Sequence, residues 1–342
     1  MIIIINLVLN NCGNSKLNRG QMKNLIYLVL FFSTFVNAQN HEAFLKLAFR
    51  ADSAFGQGDY KKCADLYDLA FQADSQNVQG HKYMYCASCM ALSKQEEKAF
   101  KYIYKAIDNG WVFYEDTKAD PDLESLYNAD DFQWDKMLDY FKVKVTEYEA
   151  SLSHKELREQ LLAMFDEDQY YRSKAHYIEN EYGKGSRKMK KLWDTLQVVD
   201  SINLEVLDAT FDKYGFPTYD MVGIDGVEAI FVLISHQHEH KEIRSKALPL
   251  AKEAENQLGV SKSDVAYLED HVLQDQGKKQ KYGTRIYLDR TKIKIWPIED
   301  YANVNARRLS VEMRPLDLYV QEIKAVIPSA EDEIPVEYNE LY

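Results

Sequence analysis

Four of the eight histidines of this chain fall close together, at positions 236, 238, 240 and 271. Neutral imidazole rings that converge with carboxylates are common ligands of transition metals. His236 and His240 would share a face if the preceding helix continued, whereas alternate residues share a face only in an extended segment. The spacing makes His236, His238 and His240 candidate ligands of a divalent metal, with a solvated helix end as the alternative. No other cofactor is expected.

The same region could carry acid–base hydrolysis without a metal. His238 would act as the base, and Asp168 or Asp270 would orient its ring. Arg172 or Arg308 would hold an anionic substrate or stabilise developing negative charge. The alternative is a buried network of Asp, Arg and Gln side chains that holds helices together without catalysis.

A short glycine-containing segment could contact a ligand through its backbone, because Gly283 lacks a Cβ atom and permits close approach. The alternative is that this segment is the turn that enters a hairpin. The sequence lacks the motifs of phosphate loops, dinucleotide-binding folds, zinc metalloproteases and serine hydrolases, so no reaction is assigned and enzymatic activity stays open. The candidate ligand contacts are Gln169, Gln237, Gln280, Tyr282, Gly283 and Thr284.

The elements that must position these residues are predicted to be mainly helical. Apolar periodicity of about 3.6 residues recurs through the second half of the chain, and alternation around Asp289-Arg290-Thr291 predicts a β-hairpin. Gly215-Phe216-Pro217 should end the second long helix. The expected order is a helix from 157, helices at 189–207, 227–235, 241–258 and 261–276, a hairpin at 282–297, and helices at about 300–313 and 315–326.

An ordered series of short motifs runs through residues 155–320. It includes Asp168-Gln169 with Arg172, Gln237-His238, Gln280-x-Tyr282-Gly283-Thr284, Pro297-Ile298-Glu299-Asp300 and Arg307-Arg308. This series resembles a bacterial domain of unknown function that often follows tetratricopeptide-like repeats in exported proteins. The chain departs from that pattern at Phe216, where the resemblance implies Trp, and at His271, where it implies Arg. The resemblance implies a domain at 151–327 and no particular reaction.

The first half of the chain repeats itself at a spacing of 36 residues. Ala51, Cys63, Tyr67 and Ala70 recur as Ala87, Ala99, Ile103 and Ala106, each set within a helix, a polar break and a second helix. This pattern resembles the tetratricopeptide repeat, with a capping segment up to residue 150. The resemblance implies helical hairpins over 39–150 and a surface for a protein or peptide partner, with Tyr60, Tyr83 and Tyr104 in its groove. The alternative is that two repeats only brace the next domain.

The fold class predicted from these observations is mainly α, with repeat-like helical hairpins followed by a compact helical domain that contains one β-hairpin. The favoured function is an interaction or scaffold protein with a C-terminal ligand-binding domain, and the alternative is a hydrolase with a His/Asp/Arg site. The 342 residues suggest two domains, and the net charge of −12 argues against a nucleic-acid partner.

The first 38 residues predict export. From Met22, the expected start, a short basic region, an apolar run and small residues before Gln39 have the layout of a secretory signal peptide. The mature protein would be periplasmic or extracellular, with no stable membrane insertion after cleavage. A retained N-terminal anchor is the alternative, and residues 328–342 form an acidic tail.

Three cysteines would remain after cleavage: Cys63, Cys86 and Cys89. In an oxidising compartment one disulfide could form and one thiol would be left over. A redox pair of Cys86 and Cys89, or three small apolar residues packed between helices, are the other interpretations.

Overall fold

The computed structural model describes residues 39–75, 78–129, 131–289 and 292–326. Within these ranges the chain has 14 α-helices and one two-stranded antiparallel sheet, which confirms the mainly α fold class. The expected signal peptide before Gln39 and the acidic tail at 328–342 lie outside the described residues. No helix in the described ranges is long and apolar enough to cross a membrane.

Seven helices form the first half. Asp59 begins the second of them, because its carboxylate accepts a hydrogen bond from the Lys62 N–H at 3.2 Å. Helix α3 packs against both α2 and α4, as the resemblance to helical repeats implies, although that resemblance itself stays a prediction. The helices are α1 (39–56), α2 (Tyr60–Ala73), α3 (Gly80–Leu92), α4 (Glu96–Asp108), α5 (Tyr114–Ala119), α6 (Glu124–Ala129) and α7 (Asp131–Ser151), with a 3-10 turn at Pro121–Leu123.

The residues that recur at a spacing of 36 form the centre of the first core. All eight are fully buried, and Tyr67 donates a hydrogen bond from its hydroxyl to Asp52. Tyr83 is only 4% exposed, and its ring stacks on Phe71 with centroids 4.6 Å apart. Tyr83 therefore belongs to the core, and its predicted place in a partner groove is wrong.

A disulfide joins α2 to α3. Cys63 and Cys89 are bonded and both are fully buried, whereas Cys86 is a buried free thiol. The Cys86–Cys89 redox interpretation is therefore wrong, since Cys89 is bonded to a cysteine on the neighbouring helix.

The second half contains five long helices, the hairpin and two short helices. The helices lie where the periodicity predicts them, and the first of the two final helices is shorter than expected because 301–303 is a 3-10 turn. The elements are α8 (Lys155–Tyr182), α9 (Arg187–Tyr214), α10 (Tyr219–Ser235), α11 (Glu242–Asn256), α12 (Lys262–Asp275), β1 (Ile286–Asp289), β2 (Lys292–Ile295), α13 (Val304–Ser310) and α14 (Leu316–Val326).

The hairpin pairs Ile286 with Ile295 and Asp289 with Lys292. Its paired strands are shorter than the predicted range 282–297, because residues 281–285 form a turn around a buried carboxylate, described below. The core of this half lies between α8, α9, α10, α11 and α12, and Val227, Ile230 and Leu233 of α10 are fully buried in it. The segment 227–235 is therefore the central buried helix that its sequence predicts.

The two halves meet at the start of α10. The helix is interrupted at Gly223, which has a φ of 80°. Immediately after it, the Ile224 N–H donates to the Tyr148 hydroxyl of α7 at 2.9 Å. Arg158 joins the two halves, because it pairs with Glu149 of α7 at 3.1 Å and with Asp225 of α10 at 2.6 Å. The predicted boundary near residue 150 stays a prediction; α7 ends at Ser151 and α8 begins at Lys155.

Reduction of the Cys63–Cys89 disulfide should lower the free energy of unfolding by about 3 kcal/mol, given its sequence separation of 26 residues. Urea unfolding with and without reductant measures this, and the double variant Cys63→Ser/Cys89→Ser should no longer respond to reductant. Cys86→Ala is the control, because it removes a buried thiol and leaves the bond intact. A wild-type midpoint that ignores reductant would contradict the assignment.

Candidate functional site

A buried carboxylate on α8 is the centre of the first polar cluster. The Asp168 side chain is inaccessible to solvent. It accepts hydrogen bonds from Arg172 Nε at 2.8 Å, from Gln169 Nε2 at 2.9 Å and from His236 Nδ1 at 2.7 Å. We call Asp168, Arg172, Asp200, His236 and Gln237 the Asp168 cluster.

Arg172 connects two helices through this cluster. Its Nε binds Asp168 one turn earlier on α8, and its Nη2 donates to Asp200 Oδ1 of α9 at 2.6 Å. Burial would raise the pKa of the Asp168 carboxyl, but hydrogen bonds and positive charge from His236 and Arg172 outweigh it and lower that pKa below 3.8. Burial raises the pKa of Asp200 despite the opposing charge of Arg172. Because its own pKa is lowered, the Asp168 carboxyl is ionised at neutral pH.

The C-terminal end of α10 places His236 and Gln237 in this cluster. His236 follows the last helical residue, and the buried Gln237 donates from Nε2 to the Asp200 carbonyl at 2.9 Å. Arg244 of α11 closes the helix end, because its Nη1 donates to the carbonyls of Ile234 and Gln237 at 3.1 and 2.7 Å. The turn after α10 is thus fixed by side chains from two other helices.

Two buried polar atoms beside the cluster have no partner in the described ranges. They are Oε1 of Gln237, which is 1% exposed, and Nδ2 of Asn203, which is 3% exposed. Buried polar atoms are nearly always hydrogen-bonded to protein, water or ligand. An unpartnered acceptor therefore lies within the Asp168 cluster, and an unpartnered donor lies about one turn after Asp200 on α9.

The structure separates the three histidines that the sequence groups. His236 binds Asp168, while His240 lies near Glu242 at 3.3 Å. His238 is exposed, and its ring has no hydrogen bond within the described ranges; desolvation and then the charge of Arg172 lower its pKa. No three His, Cys, Asp or Glu side chains in those ranges are placed to hold a metal ion. The structure therefore does not support a metal site at His236, His238 and His240, because the chain there is neither a continuing helix nor an extended strand.

The predicted orientation of His238 by Asp168 or Asp270 is also not seen. Asp168 contacts His236 instead, two residues earlier, because α10 ends at Ser235 and His236 is the first residue after it. The sequence analysis paired Asp168 with His238, whereas the structure pairs Asp168 with His236. The signal that could have identified His236 is its position directly after the last buried turn of α10.

Asp270 forms a second, separate cluster with the turn before the hairpin. Its carboxylate is fully buried and accepts the N–H groups of Lys281, Tyr282 and Thr284 at 2.7, 3.1 and 3.0 Å. The Thr284 hydroxyl adds a fourth hydrogen bond at 3.0 Å. Burial raises the pKa of Asp270, and these hydrogen bonds oppose that shift.

The other candidate site residues near Asp270 hold the same turn before the hairpin. Gln280 donates to the carbonyls of Arg285 and Trp296 and accepts the Arg285 N–H, so its amide joins both ends of the hairpin. Arg308 donates to the Tyr282 carbonyl at 2.7 Å. Gly283 has a φ of 75°, and a Cβ there would lie 2.9 Å from side-chain carbons of Ile298 and Leu316. The structure thus uses these residues to hold the hairpin, as the alternative interpretation of the segment predicts.

His271 follows Asp270 on α12 but belongs to neither cluster, and it is not among the site residues predicted from the sequence. It is 7% exposed, and burial, followed by the charges of Arg285, Arg244 and His238, lowers its pKa to about 3. His271 is therefore neutral at physiological pH, at a position where the resemblance implies a permanently charged Arg.

Comparison with known proteins identifies a family but no activity. The model of a family of unknown function, DUF6624, matches residues 155–327, half of the chain. No curated protein and no solved structure matches significantly. The matched range contains both polar clusters.

Asp270→Asn should lower the free energy of unfolding by about 2–4 kcal/mol, because an amide cannot replace a charged acceptor of four hydrogen bonds. Urea unfolding measures the loss. Asp300→Asn is the control: Asp300 is exposed and has a φ of 45°, which Asn tolerates, so the change should stay within about 0.5 kcal/mol. Equal effects of the two substitutions would contradict this role of Asp270.

The low pKa of His271 makes stability depend on pH. Between its ordinary value of 6.5 and about 3, the unfolded chain binds a proton at this ring and the folded chain does not. Its contribution to stability is therefore complete above pH 6.5 and falls as the pH decreases, by up to about 1.4 kcal/mol per pH unit.

The variant His271→Gln should reduce this slope between pH 6 and 4, in unfolding curves measured at several pH values. His240→Gln, which changes an exposed ring, should leave the slope as it is in the wild type. An unchanged slope in His271→Gln would show that the ring does not resist protonation.

Proposed function

The chain belongs to the DUF6624 family of unknown function, and we propose that its C-terminal domain binds a small anionic substrate at the Asp168 cluster and hydrolyses it with His236 as general base. The observation that carries this proposal is the 2.7 Å hydrogen bond between His236 Nδ1 and the buried Asp168 carboxylate. The contacts of Asp168, Arg172 and His236 in this chain support the assignment, since the family itself has no known activity.

The Asp168 carboxylate selects one tautomer of the His236 ring. An ionised carboxylate only accepts hydrogen bonds, so Nδ1 must carry the proton that it shares with Asp168. In the neutral ring this leaves Nε2 as an unprotonated acceptor. Nε2 has no hydrogen-bond partner within the described ranges, and the His236 side chain is 24% exposed. The ring is thus oriented by a buried carboxylate and accessible at its basic atom, the arrangement that general-base catalysis uses.

Arg172 supplies positive charge at the same place. Its Nε and Nη2 are bound to Asp168 and Asp200, whereas Nη1 has no acceptor within the described ranges, and the side chain is 18% exposed. Nη1 can therefore donate to an anionic group of a substrate or to an oxygen on which negative charge develops. The unpartnered atoms of Gln237 and Asn203 offer one further acceptor and one further donor.

In the proposed reaction, Nε2 of His236 accepts a proton from water as the water oxygen attacks an electrophilic carbonyl carbon or phosphorus. Asp168 stabilises the imidazolium ring that forms, and Arg172 stabilises the negative charge on the substrate. The ring then returns the proton to the leaving group. Ester, amide and phosphoester substrates all fit this scheme.

Export of the protein is part of the proposal. The signal-like segment before Gln39 supports it, and so does the Cys63–Cys89 disulfide, since disulfides persist in oxidising compartments such as the periplasm or the cell exterior.

A second role, binding of a protein or peptide partner, is supported by a groove of about 450 Å³ between the first helices and the family domain. Phe44, Phe49 and Tyr267 lie along it, and aromatic side chains are enriched where proteins bind peptide or protein partners. In this role the helical hairpins would act as a scaffold for the C-terminal domain.

The hydrolytic proposal predicts that His236→Gln lowers kcat about 100-fold or more, because proton transfer by a positioned side chain contributes at least that factor. The assay is a panel of chromogenic esters and phosphoesters that carry a carboxylate. The variant should keep its free energy of unfolding within about 1 kcal/mol, since the ring is partly exposed.

His240→Gln is the matched control, because the same substitution is made in an exposed ring outside the cluster. It should leave kcat unchanged. Equal kcat in His236→Gln and the wild type, or no wild-type turnover across the panel, would contradict the hydrolytic assignment. A loss of stability of about 2 kcal/mol or more without loss of turnover would show a structural network instead.

A further inference from the structure

A cavity in the family domain lies between α10, α12 and the residue before β1. Its volume is about 250 Å³, comparable to roughly eight water molecules at ~30 Å³ each. The space is sufficient for a ligand the size of an amino acid or a short fatty acid. None of the residues of the Asp168 cluster lines it.

One face of α12 forms the floor of this cavity. Asp264, Leu268 and His271 line it, and their spacing of four and three residues places them on one helical face. At 1.5 Å per residue, Asp264 and His271 lie about 10 Å apart along the helix axis. The opposite wall is largely apolar, with Phe231 and Ile234 of α10.

His271 is a buried polar ring that lacks a protein partner. It is 7% exposed, lines the cavity, and makes no hydrogen bond in the part of the chain that the structure describes. Because the ring lines the cavity, its nitrogens are open to a molecule that enters this space. A neutral imidazole provides one donor and one acceptor for such a partner.

Arg285 brings a positive charge to the end of the cavity that His271 lines. Its Nε donates to Gln274 Oε1 at 2.8 Å, and its two terminal amino groups have no acceptor within the described ranges. Arg244 differs, because it is fully buried and binds Asp275 and two backbone carbonyls. A partly paired guanidinium beside an unpartnered ring is suited to a carboxylate, which accepts two parallel hydrogen bonds.

Asp264 places a carboxylate at the other end of the cavity. Its carboxylate has no cation within ion-pairing distance in the described ranges. A ligand with negative charges at both ends would place one of them near this carboxylate, and the repulsion would weaken binding. The cavity therefore distinguishes one end of an elongated ligand from the other.

We propose that this cavity binds a small apolar monocarboxylate, with its carboxylate on Arg285 and His271 and its hydrocarbon part along Leu268, Phe231 and Ile234. This site is separate from the proposed hydrolytic site and does not require it to be active.

Binding is tested with the full chain and three eight-carbon probes: octanoate, octanedioate and 1-octanol, titrated by calorimetry. Octanoate should bind saturably at millimolar or lower concentration, and 1-octanol and octanedioate about tenfold more weakly, because one lacks the charge and the other carries a second. Arg285→Gln should weaken octanoate binding about tenfold. Asp264→Asn should bring the affinity for octanedioate closer to that for octanoate.

His240→Gln is the matched control and should bind octanoate as the wild type does. If Arg285→Gln fails to fold, the ring resonances of His271 in the wild-type protein provide the second measurement. They should shift on addition of octanoate, while those of His240 stay in place. No saturable octanoate binding, equal binding of 1-octanol, or unchanged His271 resonances would overturn the proposal, whatever the outcome of the hydrolysis assays.

Discussion

A carboxylate that leaves water on folding must be surrounded by donors or positive charges, and the family domain depends on this constraint at Asp168. Its side chain is inaccessible, and its donors come from two elements: Arg172 and Gln169 on α8, and His236 after α10. Arg172 extends the connection to Asp200 on α9. One buried charge therefore fixes the relative position of three helix segments and, with them, the ring that we propose as the base.

Asp270 meets the same constraint in a different way. Its donors are three backbone N–H groups and one hydroxyl, all from the turn 281–284. These donors are all used within the turn, and none of them is a side chain that could act as a base. The Asp168 cluster instead ends in side chains with atoms that have no partner among the described residues: Nε2 of His236, Nη1 of Arg172 and Oε1 of Gln237. This difference is the physical reason for assigning chemistry to one buried carboxylate and a structural role to the other.

The helices could be predicted from the sequence because each depends on local periodicity and local stop signals. Gly215 ends α9 and the apolar run 227–235 is the central helix, as their residue types indicate. The pairing of side chains across helices could not be predicted in the same way, because it depends on where a helix ends to within one residue. His236 and His238 differ by two positions, yet only the residue directly after α10 reaches Asp168. Arg285 and His271 were missed because their cavity exists only when α10 and α12 pack together.

The orientation of His236 by Asp168 is the central claim, and nitrogen NMR of the His236 ring at about pH 8, above the ordinary imidazole pKa, tests it most directly. The account predicts a single neutral tautomer with the proton on Nδ1 and a bare Nε2. It also predicts that Asp168→Asn removes this preference, since an amide has no fixed charge to select it. A proton on Nε2 in the wild-type protein, or a tautomer that is the same in Asp168→Asn, would contradict the account.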